Sequence, residues 1–464
     1  MIKKSTGVTP SEILLANLCD GTFLSTWSYA NPYNEERKEF CDLIAVFEDH
    51  MFIFFDRERN FKDDFIENVD VHWQRWYREV VGKQTKTCHG AERYIRKNGK
   101  LFLDNKGSVP FPIKFDKDQV KIHKILVANG AKEACRHFSG ENVNGSLGIN
   151  YSDSFDPKGQ PFPFSISIDR QNPVHVFDSH NLPILLQELD TFQDFVWYIE
   201  EKEDAIKRFL FLSYCGEEDL LAHYLQNFDP ERKRHFLGVP GKKVDGLMLE
   251  EGDWNGFLTT PAYKSRKKAN EKSYFWDMLT QETLTLALEG RTGGNSDIFN
   301  GTSALYEMAK EPRLARRMLS QGLIDAINSF PDNDKGFVRK LTCISSYIPT
   351  VCYVFLQVKW LLPPEMMKDF REVRQRMLQV ACGATKNKFP ILQKVIGIAM
   401  EPPKFFQKRS QDFILLQCST WTAEEAEFYR EENEFETMRF FLKDNLTSSE
   451  IHVTEFPDSS NRRS

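Results

Sequence analysis

Residues 34 to 61 read NEERKEFCDLIAVFEDHMFIFFDRERNF. Two five-residue apolar runs, LIAVF and MFIFF, are joined by the polar EDH, and both are rich in β-branched and aromatic side chains. Short continuous apolar runs bounded by charge predict a β-hairpin buried on both faces. Asp42 leads the first run, and Asp56, Arg57 and Glu58 close the second. Side chains two apart on a strand share a face, so Asp56 goes with Glu58 and Phe55 with Arg57. A slip of one residue would exchange the two sets, which makes the two alignments mutually exclusive.

Upstream, the Thr/Pro/Ser start at 9 to 11 and the spacing of Ile13, Leu14, Ala16 and Leu18 predict a helix over about 10 to 18. Downstream, Trp73, Trp76, Tyr77, Val80 and Val81 fall on one stripe of a helical segment from about 70 to 97, with a break near Gly82 or Gly90. Strands are expected at KLFLD, PIKFD, KIHKILVAN, FSISID and VHVFD. The fold class read from this pattern is mixed α+β, an α/β core at the amino end followed by a larger α-rich region. The expected regions are 1–118, the hairpin domain; 119–227, mixed α/β; 228–272, a polar basic loop region; 273–412, helical; and 413–464, a strand, a helix and the tail DSSNRRS.

With 464 residues the chain is too long for one ordinary core. No stretch of 18 apolar residues free of charge occurs, and Glu12 interrupts the apolar part of the amino terminus, so neither a membrane span nor a signal peptide is expected and the location is read as cytoplasmic. Nine cysteines without a C-x-x-C pair argue against a disulfide framework and a zinc ribbon. The net charge of −6 disfavours an all-over basic surface. Locally, residues 70 to 106 hold nine Lys or Arg against four acids. Such a run is ordinarily a solvated face, and its position directly after the hairpin also suits contact with phosphates. RTGGNSD at 291 to 297 is glycine-rich but lacks the lysine and spacing of a phosphate loop.

Carboxylates that converge on one side of a small sheet suit a divalent cation, which prefers hard oxygen ligands, and phosphate chemistry adds a cation nearby. On Glu12, the lead-in Glu39-Phe40-Cys41-Asp42, the strand MFIFFDRE and a following helix with Lys83 and Gln84, residues 8 to 105 resemble the PD-(D/E)XK, or restriction-endonuclease-like, nuclease superfamily in its Mrr-like and NERD-like region. The block WQRWYREVVGKQTKTCHGAERYI is similar to one in uncharacterised bacterial proteins of that group.

The resemblance implies Glu12 as the acid of the first helix, Asp42 as the Asp of the second strand and Gln84 as the polar residue of the following helix. Where the family carries acid-x-Lys, this chain offers Phe55-Asp56-Arg57 or, shifted by one, Asp56-Arg57-Glu58. Arg57 can steady phosphate charge but does not readily give up a proton. The resemblance therefore implies Mg²⁺ or Mn²⁺ held by Asp42, Asp56, Glu58 and Glu12, with Asp42, Asp56, Arg57 and Lys83 catalytic and Glu39 and Gln84 supporting. Arg75, Arg78, Lys86 and Arg93 are expected to contact nucleic acid, DNA rather than RNA. The expected function is a metal-dependent nuclease of bacterial defence, with a protein partner or a homo-oligomer and no membrane. The alternative is a catalytically degenerate nuclease fold that binds nucleic acid or serves assembly beside an active partner.

Overall fold

The computed structural model describes residues 5–62, 65–140, 144–152, 162–288, 298–331, 336–361, 367–405, 411–441 and 446–457, so the 291–297 glycine-rich stretch and the terminal tail lie outside the described residues. The protein is mixed α and β, and the chain divides into two compact units, Ile2–Lys264 and Ser265–Ser464.

In the first unit, α1 (Pro10–Trp27) is followed by β1 (Ser28–Ala30), β2 (Leu43–Phe47) and β3 (His50–Glu58). The quoted hairpin forms as the apolar runs require, with Leu43 registered on Phe54 and Phe47 on His50. β2 is buried throughout, and β3 is buried from His50 to Phe55 before its charged end emerges. Then come α2 (Val69–Tyr77), one π-type turn at Arg78–Gly82 and α3 (Lys83–Lys97), so the helical segment runs on without interruption through both Gly82 and Gly90. Trp73, Trp76 and Tyr77 are core, each 1% exposed or less. KLFLD and PIKFD are not strands. Phe102 makes only isolated bridges there, to Tyr33 and Pro110.

β4 (Lys121–Asn129) returns parallel to β3, from His50 on Lys121 to Glu58 on Asn129. After α4 (Lys132–Ser139), β5 (Gly148–Ser152) and β6 (Ser165–Asp169), β7 (His175–Phe177) adds parallel to β4 and completes a sheet of order β1-β2-β3-β4-β7. α5 (Asn181–Glu188), α6 (Phe192–Arg208), β8 (Phe211–Cys215), α7 (Glu217–Gln226), the short β9 (Phe228–Asp229) and β10 (Arg234–His235), β11 (Gly246–Leu249), α8 (Asp253–Thr259) and α9 (Pro261–Asn270) follow. A second sheet has the order β11-β8-β5-β6.

Two expected boundaries fall inside sheets. The one at 118 separates β3 from β4, which are hydrogen-bonded along their length, and 228–272 carries three strands and two helices rather than a loop. Pairing between strands distant in sequence overrides local composition.

Strand parity sorts the first sheet into layers. Phe52 packs edge-on against Phe192 and Phe195 of α6, and His123, registered on Phe52, bonds Glu203 of the same helix. Lys124, registered on Ile53, reaches Glu92 of α3 at 2.7 Å. The sheet thus lies between α1 and α6 on the even-numbered face of β3 and α3 on the odd-numbered face.

The second unit continues with α10 (Tyr274–Leu288), α11 (Ile298–Ala309), α12 (Arg313–Asn328), β12 (Phe337–Ser345), β13 (Val351–Trp360), α13 (Met367–Lys388), β14 (Lys394–Met400), β15 (Gln411–Gln417) and α14 (Ala423–Glu432). The expectation of a helical domain over 273–412 is corrected here. A four-stranded sheet, β12-β13-β14-β15, forms its centre, and the boundary at 412 cuts β15. Val351, Tyr353 and Phe355 of β13 pack among α10, α11 and α12, while Cys352, Val354 and Leu356 pack on α13. A strand covered by helices on both faces is apolar along most of its length, as in VCYVFL of β13, and its sequence shows no alternation to separate it from a buried helix.

Candidate functional site

The charged end of β3 is where the expected residues meet. Asp42 donates its N–H to the Phe54 carbonyl although Leu43 is the residue registered there, so two residues of the β2 strand face one of β3. This slip matches a β-bulge, which re-aims a side chain at a strand end. The Asp42 carbonyl is taken by the Asn31 N–H at 2.9 Å, and the Asp42 carboxylate turns to accept the Asp56 backbone N–H at 2.5 Å. Asp56 in turn accepts Asn129 Nδ2 at 2.6 Å and a bond from Ser11 of α1.

Glu12 completes the group from the helix side, and it has a second task. Thr9 caps α1 and Glu12 closes the capping box, its Oε2 accepting the Thr9 N–H at 3.4 Å and also the Val8 N–H at 2.8 Å. The same oxygen accepts Asn31 Nδ2 at 3.2 Å, and that amide also reaches Glu39 Oε1 at 2.8 Å. Asn31 is buried with φ of 51°, a left-handed conformation that Asn tolerates better than most residues. It holds two acids at once while its Oδ1 accepts from Ser5.

Four carboxylates therefore sit within electrostatic reach of one another. Burial pushes Asp42 up to about 7, against the pull of the Asp56 N–H, and the charges of Glu39, Glu12 and Asp56 add to the rise. Asp56 is raised by burial and by Glu12 and Glu58, while Ser11 and Asn129 oppose the rise. Glu12 moves the other way: burial works to raise it, but the donors Val8, Asn31 and Thr9 hold it below the usual carboxylate range. Among the described residues, no Lys, Arg or His ranks among the principal influences on these three carboxyls.

The remaining expected residues stand elsewhere. Alternation sends Phe55 and Arg57 to the face opposite Asp56, with Phe55 buried and Arg57 exposed. Glu58 shares the Asp56 face but is exposed, next to Asn60 at 3.4 Å. Lys83, exposed, and Gln84, half-buried, open α3 on the opposite side of the sheet. Arg75, Arg78, Lys86 and Arg93 are all exposed on α2, the π-type turn and α3. Sequence reasoning missed Asn31 and Asn129. Asn31-Pro32 and Asn129-Gly130 are both turn signals at strand ends, which is the trace each leaves in the sequence. Gly130, with φ of 93°, is required there: a Cβ would lie 2.2 Å from the Arg59 carbonyl oxygen.

The donor chemistry fits a hard divalent cation. All side-chain donors are oxygens, no cation among the described residues is a principal influence on the like charges, and Asn129 Oδ1 is buried beside Asp56 without a donor. The geometry is not a finished ligand set, since among the described residues no three His, Cys, Asp or Glu side chains are arranged to hold a metal ion. No helix among the described residues is long and apolar enough to cross a membrane. No family model matches the chain, and neither a curated protein nor a solved structure matches it.

Proposed function

We propose that the first unit is a divalent-metal-dependent nuclease whose centre is Asp42, Asp56 and Glu12. The observation that carries this reading is the gathering of carboxylates from a helix and two neighbouring strands at one sheet end, with no cation among the described residues ranking as a principal influence on them. The order helix, hairpin, helix supports it as well, since the resemblance on residues 8 to 105 requires that order. Asp42, Asp56 and Glu12 would hold Mg²⁺ or Mn²⁺, which supplies Lewis-acid stabilisation of the charge that develops on a phosphoryl group. Asn129 fixes the rotamer of Asp56, and Asn31 spaces Glu12 from Glu39. Arg57 and Lys83 do not face this pocket, so the steadying of phosphate charge is assigned to the cation rather than to them. DNA as substrate and a place in bacterial defence belong to the same proposal.

Incubation of the protein with plasmid DNA and, separately, RNA in Mg²⁺ or Mn²⁺ tests it. The wild type is expected to cut, and Asp42→Asn and Asp56→Asn to lose cleavage while keeping a cooperative unfolding transition. Cleavage that survives Asp42→Asn overturns the assignment. One observation favours a second reading, a degenerate nuclease fold that only binds: the acids are not assembled into a ligand set. On that reading the wild type binds nucleic acid equally in chelator and in Mg²⁺ and cuts nothing.

A further inference from the structure

α3 carries more than isolated basic residues. Lys83, Lys86, Gly90, Arg93 and Lys97 succeed one another at intervals of three, four, three and four residues, which places them on one line along a helix. That line spans about 21 Å at 1.5 Å per residue. All four cations are exposed, and the buried residues of the helix, Thr85, Cys88, Ala91 and Ile95, lie on the other side. At its carboxy-terminal half the line borders an open cavity of about 580 Å³ lined by His89, Glu92, Arg93, Arg96, Lys97 and Asn172.

The acids that would normally neutralise such a face are engaged elsewhere. Glu79 pairs with Arg59, and Glu92 pairs with the buried Lys124 at 2.7 Å. Lys83, Lys86, Arg93 and Lys97 enter no ion pair among the described residues. Like charges three and four residues apart destabilise a helix, so this arrangement opposes helix stability unless a polyanion covers it. Gly90 sits at the middle of the line, and a Cβ there would find only Arg93 within 4 Å, at 3.8 Å, so the backbone is open to close approach.

We propose that this face of α3 is a track for the phosphodiester backbone of a nucleic acid, read without regard to sequence, with Lys83, Lys86, Arg93 and Lys97 contacting successive phosphates and the cavity receiving one of them. The proposal rests on the nuclease reading only for the identity of the polyanion. An anionic membrane would instead be met by apolar side chains beside the cations, and the apolar residues of α3 are buried.

The test measures binding of a labelled 20-base-pair DNA duplex by fluorescence anisotropy in EDTA, over a series of salt concentrations. The full-length protein is compared with K86E/R93E/K97E, Asp42→Asn and, as a folding control, the thermal unfolding of each. The wild type is expected to bind with a log–log salt slope that reports its phosphate contacts. The triple variant is expected to bind at least about tenfold more weakly, with a log–log salt slope shallower by about 3, one per lost phosphate contact. An unchanged slope and affinity in a folded triple variant overturns the track while leaving the cleavage assignment to stand or fall on Asp42→Asn. Binding of the wild type to phosphatidylserine vesicles and not to the duplex also overturns it. Cleavage that persists in Asp42→Asn alongside a collapsed slope in the triple variant removes the nuclease centre and keeps the track.

Discussion

Replacing Asp42 by asparagine is expected to stabilise the protein, although the same change is expected to abolish cleavage. The native carboxyl titrates near 7 rather than 3.8, mainly because burial disfavours its charge and because Glu39, Glu12 and Asp56 surround it. At 1.36 kcal/mol per tenfold change in proton affinity, that displacement corresponds to an upper bound of about 4 kcal/mol at high pH. The direction follows from proton counting. Between pH 3.8 and 7 the native state holds the Asp42 proton more firmly than the unfolded chain, so this group's contribution falls as pH rises through that window and stays lost above it. Asparagine has nearly the same shape, can accept the Asp56 N–H through its amide oxygen and carries no charge. The advantage of Asp42→Asn over the wild type should therefore be small near pH 4, grow towards pH 7 and level off near pH 8. With relaxation of the pocket, about 2 to 4 kcal/mol is expected at pH 8, an upward shift in melting temperature of several degrees. Urea or thermal unfolding of both proteins at pH 4.5, 6, 7 and 8 in EDTA measures it. An advantage that is flat with pH, or a variant less stable than the wild type at pH 8, would refute the claim that this pocket disfavours the charged form of Asp42. Millimolar Mg²⁺ should shrink the gap by stabilising only the wild type.

Trp76→Ala is expected to cost about 3 to 5 kcal/mol in urea unfolding, because Trp76 is core at 1% exposure and bonds the Asn129 carbonyl; a near-neutral effect would mean that its ring serves a ligand instead. Lys202→Met should cost about 3 to 5 kcal/mol by stranding Glu217, whose two oxygens each lie 2.6 Å from the Lys202 ammonium. The double change Lys202→Met with Glu217→Gln should recover much of that, and strictly additive losses would contradict the pairing. Burial and the neighbouring His123 hold His50 down at about 4, so the unfolded chain takes up this proton first as pH falls below 6.5 and stability declines towards pH 4. His50→Gln should flatten that acid limb in a pH series of thermal unfolding, and an unaltered limb would exclude His50 as its source.

The hairpin was legible because its evidence is local. LIAVF and MFIFF are too apolar for anything but burial, and the polar EDH marks the reversal between them, although only Glu48 and Asp49 form the turn and His50 opens β3 as a buried residue. The Trp73, Trp76 and Tyr77 stripe was legible for the same reason, since 3.6-residue periodicity is written into consecutive residues. VCYVFLQVKW was not, because a strand covered on both faces shows no alternation to mark it off from a helix.

At the candidate site, the sequence determined which side chains could act: an Asp before β2, an Asp at the end of β3 and a Glu three residues past a helix cap. Only the tertiary structure decided which of them meet. A bulge aims Asp42 at the Asp56 backbone, and strand parity turns Arg57 and Phe55 away. Asn31 and Asn129 tie in elements that are far apart along the chain. Residue type sets the chemistry available to a chain, whereas convergence depends on pairing between distant strands, and no local pattern encodes that pairing.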